Sequence, residues 1–360
     1  MNRQNNTFRI SFLCLLALIL ALGGVSQTYK TSANSKSFTL IQDLSQSPIN
    51  KSNTNVPTDD TGNLAAVSTT GITSNFRSWL SANGYSSYDF ARDDLTGGSY
   101  GGKASATDTV VNQPVIFIHG NSDKAVGSTF GQTGWTASID YFMSKGYKTS
   151  ELYATTYGPA NALLSSEQYH SRAYLTKIRA FIQAVKQYTG ATKVDIVSHS
   201  LGVTLARKAI KGGLAYDPLN GGSYDLGPSL SSSVDTFVGI AGANRGLTSC
   251  YLTGGTTPTC GDEVGLYPGY LVGLLGPYNV SSYLVDLNAS SRYEGAYIYS
   301  MWSTVDEVVG YGTVVYGKYT CQIPGQTGEK VFSTAPYGHF GLKDSTGYYQ
   351  WRMVKSHATN

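Results

Sequence analysis

Residues 194–202 read V-D-I-V-S-H-S-L-G, a β-branched apolar run that ends on a serine between small residues and then opens into a helical pattern. A strand that turns sharply into a helix leaves no room for side chains two positions either side of its apex. Ser198 and Gly202 meet that demand around Ser200. The common form of this elbow carries glycine at the first small position, so Ser198 is a departure that the sterics tolerate. Val194, Ile196 and Val197 supply the strand, and Val203, Leu205, Ala206, Ala209 and Ile210 supply the helix, which closes at Gly212 and Gly213. Such a turn presents a hydroxyl as a nucleophile, and Ser200 is the candidate.

A serine hydroxyl needs a general base, nearly always a histidine whose ring is oriented by a carboxylate. The chain has five histidines. His199 adjoins the nucleophile and points away from it, His170 falls on the polar side of an expected amphipathic helix, and His357 lies in a C-terminal stretch prone to fraying. His119 belongs to another motif. His339 remains, in the Gly- and Pro-containing loop P-Y-G-H-F-G that suits an active-site loop after a last strand. The acid should follow a strand and precede the base. The aromatic, β-prone run 296–302 is that strand, and Asp306 lies just past it, with Glu307 as the adjacent alternative and Asp286 as a more distant one.

Developing negative charge on a tetrahedral intermediate calls for two backbone N–H donors. One is the residue after the nucleophile, Leu201. The other is expected where the apolar strand P-V-I-F-I runs into H-G-N, which makes Asn121 the second donor and gives His119 the task of ordering that loop by hydrogen bonding.

The strings PVIFIHGNSDKA, ELYATTYG, VDIVSHSLGVTLARKAI, GIAGANRGLTSCY, IYSMWSTVDEVVGY and GHFGLKDSTGYYQWRMV resemble the secreted class 2 lipases of the nematode-type lipase family. Several are also similar to extracellular short-chain polyhydroxyalkanoate depolymerases, although the R-K-A-I helix and the V-D-E-V-V loop favour the lipase branch. The similarity runs over 114–357, and more weakly over 76–103. It implies an α/β-hydrolase fold, a mostly parallel sheet with helices on both faces, with Ser200, Asp306 and His339 in the triad positions and Asn121 and Leu201 in the oxyanion positions. It implies two-step acyl transfer on an ester without metal or organic cofactor, with an acylglycerol lipid as substrate, a polyester as the alternative, and adsorption to a lipid or polymer surface as a further possibility. A catalytically silent relative that binds such surfaces through some of its 27 tyrosines is the reading from a different class.

Composition agrees with a secreted enzyme. A chain of 360 residues with 41% hydrophobic content can bury one substantial core, and a formal charge of +3 without a basic cluster excludes a nucleic-acid footprint. Arg3 and Arg9, the apolar stretch 10–22 and the small residues Gly23, Gly24 and Ser26 have a signal-peptide layout, so 1–26 is expected to be removed and the product secreted. The competing reading, a membrane anchor, needs about 20 apolar residues. Residues 27–70, rich in Ser, Thr and Asn, read as a disordered leader, and 71–360 as the hydrolase domain. Cys250 and Cys260 flank a short Gly- and Thr-rich loop that closes easily and are the expected bridge, leaving Cys321 over. The triplets at Asn50, Asn279 and Asn288 fit N-glycosylation acceptors.

The elements that must position these residues follow from periodicity. Ile72, Phe76, Trp79 and Leu80 share one helical face, and 95–108 reads as loop. Residues 132–145 read as helix, 149–153 as strand, and 167–188 as the best helix, with Ser165 and Gln168 as a capping box and Gly190 as its stop. Strand 234–240 and a closing helix 348–355 complete a strand–helix alternation that implies a parallel sheet. Residues 244–295, rich in Gly, Tyr and Leu, interrupt it. They form either an apolar acyl-binding surface over the carboxyl ends of the strands or ordinary satellite core.

Overall fold

Apolar β-branched runs that are buried on both faces form parallel strands, and such runs make the centre of an eight-stranded sheet in this chain. The computed structural model describes residues 71–360; the expected signal peptide and leader, and Asn50, lie outside the described residues. In chain order the strands are β1 (Gly71–Ile72), β2 (Ser99–Gly101), β3 (Val115–Ile118), β4 (Leu152–Thr155), β5 (Val194–His199), β6 (Val234–Ile240), β7 (Tyr297–Ser303) and β8 (Gly328–Phe332). They lie side by side as β1-β2-β4-β3-β5-β6-β7-β8. Every pair is parallel except β2 with β4. With helices on both faces, this is the α/β-hydrolase fold.

Strand residues alternate between two cores because side chains alternate across a pleated strand. Ile116, Ile118, Ile196 and Phe237 pack on one side with α1 (Ser74–Ala82), α3 (Arg172–Thr189) and α4 (Leu201–Lys211) through Phe76, Phe181 and Val203. Val115, Phe117, Val197 and Val238 pack on the other with Ile139 and Phe142 of α2 (Thr136–Ser144) and Met353 and Val354 of α8 (Gly347–Ser356). In an uninterrupted β6, Val234 would face the same way as Val238 and Ile240. The pairing with β5 shifts register between Val234 and Phe237, and Val234 joins the opposite core. Phe76, Phe142 and Phe181 are buried, and truncating any of them to alanine costs about 3–5 kcal/mol.

Several boundaries differ from those read in the sequence. The long helix α3 begins at Arg172, five residues later than expected, because Ser171 caps it by accepting from Tyr174 N at 3.3 Å. The expected box residues do other work: Ser165 lies in a 3₁₀ turn, Ala162–Glu167, and Gln168 hydrogen-bonds Leu164 O and Tyr174. Gly190 does end α3, in the left-handed conformation. Residues 132–145 are helical only from Thr136, since Gln132–Gly134 pairs with Val126–Thr129 as a small hairpin. The strand expected over 149–153 starts at Leu152, after a turn shaped by Glu151 reaching back to Lys148 N. Within 95–108, Ser99–Gly101 joins the sheet as β2. Its short, glycine-containing sequence carries no alternation that could have signalled a strand.

The interruption at 244–295 holds a short helix α5 (Cys250–Thr253), a hairpin of Tyr270–Val272 with Leu275–Tyr278, and α6 (Ser282–Asn288). Cys250 and Cys260 are bridged, and Cys321 is free and buried against Trp302 and Val309. Burial pushes the Cys321 thiol well above its ordinary pKa, so it behaves there as a small apolar side chain. Among the described residues no helix is long and apolar enough to cross a membrane.

Candidate active site

Four loops leave the carboxyl ends of strands β3, β5, β7 and β8, and they carry Asn121, Ser200, Leu201, Asp306 and His339. Parallel α/β sheets bind ligands at that end because adjacent loops diverge there.

Ser200 follows β5 with φ 54° and ψ −128°, a conformation strained for any residue with a Cβ. The small flanking residues have a visible cause. A Cβ on Gly202 would sit 2.2 Å from the carbonyl oxygen of His119, and one on Gly120 would sit 2.9 Å from Ser200 Cβ. At the departure from glycine, the buried Ser198 hydroxyl donates to Val238 O of the neighbouring strand at 3.1 Å, so the larger side chain is satisfied rather than crowded.

Asp306 and His339 meet. His339 Nδ1 lies 2.8 Å from Asp306 Oδ2, and both side chains are almost completely buried. A carboxylate can only accept, so the hydrogen sits on Nδ1 and the Nε2 lone pair is left for a proton from elsewhere. The other Asp306 oxygen accepts from Val308 N at 2.9 Å and Val309 N at 2.8 Å. Asp306 thus both caps its own turn and orients the ring. Glu307, the adjacent alternative, takes the main chain instead: its Oε2 accepts from His339 N at 2.9 Å, at the start of α7 (His339–Asp344). Asp286 is elsewhere, paired with Lys208 at 2.8 Å and Lys211 at 2.9 Å. The hydrogen bonds of the described residues include none between the Ser200 hydroxyl and His339. Serine and base are related through His199, whose ring lies 4.6 Å from the His339 ring and whose Nε2 donates to His339 O at 3.0 Å.

His199 is therefore more than the neighbour that sequence reasoning set aside. A backbone carbonyl accepts only, so Nε2 carries the hydrogen and Nδ1, buried and without a partner, keeps its lone pair. Burial pushes the His199 pKa well below the ordinary histidine value, which keeps the ring neutral beside the candidate base.

The His119 ring fixes the opposite wall. Its Nδ1 donates to Gly120 O at 2.7 Å, its Nε2 accepts from Tyr157 N at 3.2 Å, and it stacks on the Tyr157 ring at 4.1 Å. Burial lowers its pKa to about 3. In a trans peptide the carbonyl and the next N–H point in opposite directions, so pinning Gly120 O aims the Asn121 N–H away from His119. Neither Asn121 N nor Leu201 N donates to another group among the described residues. Leu201 opens α4, where the first amides of a helix have no intrahelical acceptor.

A buried Lys343 in α7 ties the candidate base to this loop. Its ammonium donates to Thr133 Oγ1 at 2.7 Å and to Gly134 O, pairs with Asp344 at 2.6 Å, and lies 3.6 Å from Asp123. A lysine four residues after the base is the kind of spacing that shares a helix face, but only the fold shows what it faces.

His170 contradicts its expected place on a polar helix face. It precedes α3, is buried, stacks on Tyr283 at 3.7 Å, and bonds Val264 O at 2.8 Å and Thr204 Oγ1 at 2.7 Å. The later start of α3 removes the helical frame that gave it a polar face. Among the described residues no group of His, Cys, Asp and Glu could hold a metal ion.

Solved structures similar to this chain include Aspergillus fumigatus lipase B, at 14% identity and a TM-score of 0.45, covering 73% of this chain and 56% of that one. Bacillus licheniformis lipase BlEst2 is similar in its propeptide form, at 13% identity and a TM-score of 0.44, covering 73% of this chain and 54% of that one. Its mature form matches at 12% identity and a TM-score of 0.42, covering 70% of this chain and 95% of that one. The chain thus spans about half the length of the first two, 56% and 54%. The sequence pattern of the family described as lipase (class 2) matches residues 112–352, well over half of the chain and inclusive of all four loops. The chain belongs to the class 2 lipase family.

Proposed function

We propose that this protein is a secreted serine carboxylic-ester hydrolase that cleaves acylglycerol esters through an acyl-enzyme. Ser200 Oγ attacks the ester carbonyl and His339 Nε2 takes its proton. Asp306 steadies the imidazolium so formed, and the amides of Asn121 and Leu201 hold the tetrahedral oxyanion. The proton then passes from His339 to the departing alcohol, and water repeats the cycle on the acyl-serine. The observation that carries this reading is the 2.8 Å contact of Asp306 with His339 Nδ1, which leaves Nε2 as the ring's free base. The strained turn at Ser200 supports the role of nucleophile. The Ser200–His339 bond then forms when substrate is seated, as such bonds commonly tighten only in the Michaelis complex. The bridge between Cys250 and Cys260 supports an oxidising, extracellular compartment.

Hydrolysis of p-nitrophenyl butyrate by the wild type and by Ser200→Ala tests the chemistry. The variant should lose roughly 10⁴- to 10⁶-fold in kcat. Equal rates would end the reading, and no rate from either would favour a silent binder of lipid or polymer surfaces. Comparison of triolein, tributyrin and a polyhydroxyalkanoate film tests the substrate class: activity confined to the film would replace the lipid by a polyester.

A further inference from the structure

Asn121 offers its main chain to the candidate oxyanion site, while its side chain anchors that main chain. Nδ2 donates to Ser165 O at 2.8 Å, and Oδ1 accepts from Ser122 Oγ at 2.8 Å. Ser165 belongs to the 3₁₀ turn Ala162–Glu167, in which no side chain is buried. A turn without an apolar anchor cannot hold a carbonyl still by packing.

Something else holds it. The Thr259 hydroxyl lies 2.7 Å from the same Ser165 oxygen and 2.5 Å from Gln168 O. A carbonyl oxygen has two lone pairs, so Ser165 O accepts from Asn121 and Thr259 together, whereas the single hydroxyl hydrogen is shared between the Ser165 and Gln168 carbonyls. Thr259 is itself buried and immobilised. It follows Pro258 and precedes Cys260, whose bridge to Cys250 closes the loop, and its own carbonyl accepts from Leu266 N at 2.7 Å. A rigid donor therefore stands behind a loose turn, and the turn stands behind the amide.

We propose that Thr259 is a positioning residue of the hydrolytic site, acting on the Asn121 amide through the carbonyl of Ser165. The proposal rests on Asn121 being an oxyanion donor. It gives the interruption at 244–295 a part in the chemistry of a loop more than a hundred residues earlier in the chain.

The test compares the wild-type protein with Thr259→Val, Thr259→Ser, Asn121→Ala and the Val–Ala double variant. It measures kcat and KM on p-nitrophenyl butyrate and inhibition by an alkylboronic acid, whose tetrahedral adduct with the serine places an oxygen among the oxyanion donors. Thr259→Val should lower kcat about 10-fold with KM within about twofold, and weaken the boronic acid by a similar factor. Thr259→Ser should restore both. Added to Asn121→Ala, Thr259→Val should cost nothing more, because the tether it stiffens is already gone. A wild-type kcat in Thr259→Val, a loss carried by KM alone, a serine variant as weak as the valine one, or an undiminished loss in the Asn121→Ala background would each overturn the proposal. If valine prevents folding, Thr259→Ala takes its place in the same cycle. Persisting activity in Ser200→Ala is the separate outcome that would discard the site itself.

Discussion

The loops that bear the candidate triad and the hairpin 270–278 lie in one chain but are built on opposite principles. Asp306 has both carboxylate oxygens engaged by three donors, and His339 is held at its ring, its amide and its carbonyl. The hairpin is uncharged and turned outward, with Leu274 fully exposed at 100% and Val272 and Leu275 at 59% and 65%. Its feet are anchored, by Tyr316 OH donating to Gly269 O at 2.6 Å and by the buried Tyr283, Leu284 and Leu287 of α6. The difference shows what each region must conserve. The proposed acyl transfer would tolerate little positional error, and the loops of the candidate triad are over-determined by hydrogen bonds to match. A surface that meets a large apolar substrate needs exposure and not a fixed geometry.

The largest effect should come from separating the two adjacent carboxylates. Asp306→Asn keeps the shape but offers an amide to a ring nitrogen that must donate, and it should lower kcat about 10⁴-fold through the wrong tautomer. Glu307→Gln keeps an oxygen that can accept from His339 N and should cost about 10-fold or less. Steady-state kinetics on p-nitrophenyl butyrate separate the cases. Comparable losses would mean that the ring contact at Asp306 has no special status.

Over-determination also makes the site sensitive to acid. His119 and His170 are lowered to about 3, and His199 well below its ordinary value, in each case by burial first. A base whose folded pKa is depressed contributes stability that is complete above the unfolded value near 6.5 and is lost as pH falls toward the folded one. All three groups act in the same sense, so their losses add as pH falls below the ordinary histidine range. Asp195, raised by burial to about 7, works in the opposite sense: its contribution is complete below about 4 and is lost as pH rises through 7. Three outweigh one, so Tm should fall steeply between pH 6.5 and 4, and Asp195→Asn should raise Tm at pH 8. A flat Tm over the acid window would show that these histidines are solvated in the folded state.

Legibility followed the same division. The strained turn at Ser200 was readable because it demands small residues at a fixed spacing, Ser198 and Gly202, which are legible as sterics before any fold is known, and the pairing of Asp306 with His339 followed from elimination among five histidines and from a carboxylate placed just past a strand. The α/β alternation was readable because β5, β6 and α4 are strongly periodic. What escaped depends on contacts between distant segments. His170 was misplaced because Ser171 and Ser165 are both plausible caps, and only the packing of His170 on Tyr283 and Thr204 selects the later one. The split duties of Asp306 and Glu307 escaped because adjacent acids look alike until the base loop is laid across them. His199 was dismissed on the argument that it turns from Ser200, an argument silent on what it turns toward.

The smallest effect should come from the hairpin, where the two sequence readings, acyl-binding surface and satellite core, part company. A core leucine changed to serine would lose several kcal/mol, whereas a fully exposed one should change stability by less than about 0.5 kcal/mol. Leu271→Ser with Leu274→Ser should accordingly leave Tm almost unchanged, with Leu274 contributing nothing. If this surface receives acyl chains, the pair should raise KM about threefold for a long-chain p-nitrophenyl ester and leave the butyrate ester alone, since each buried methylene adds about 0.8 kcal/mol that a short chain never collects. A large drop in Tm would return the hairpin to the core. Equal changes in KM for both esters would remove it from acyl recognition and leave its outward leucines to another task.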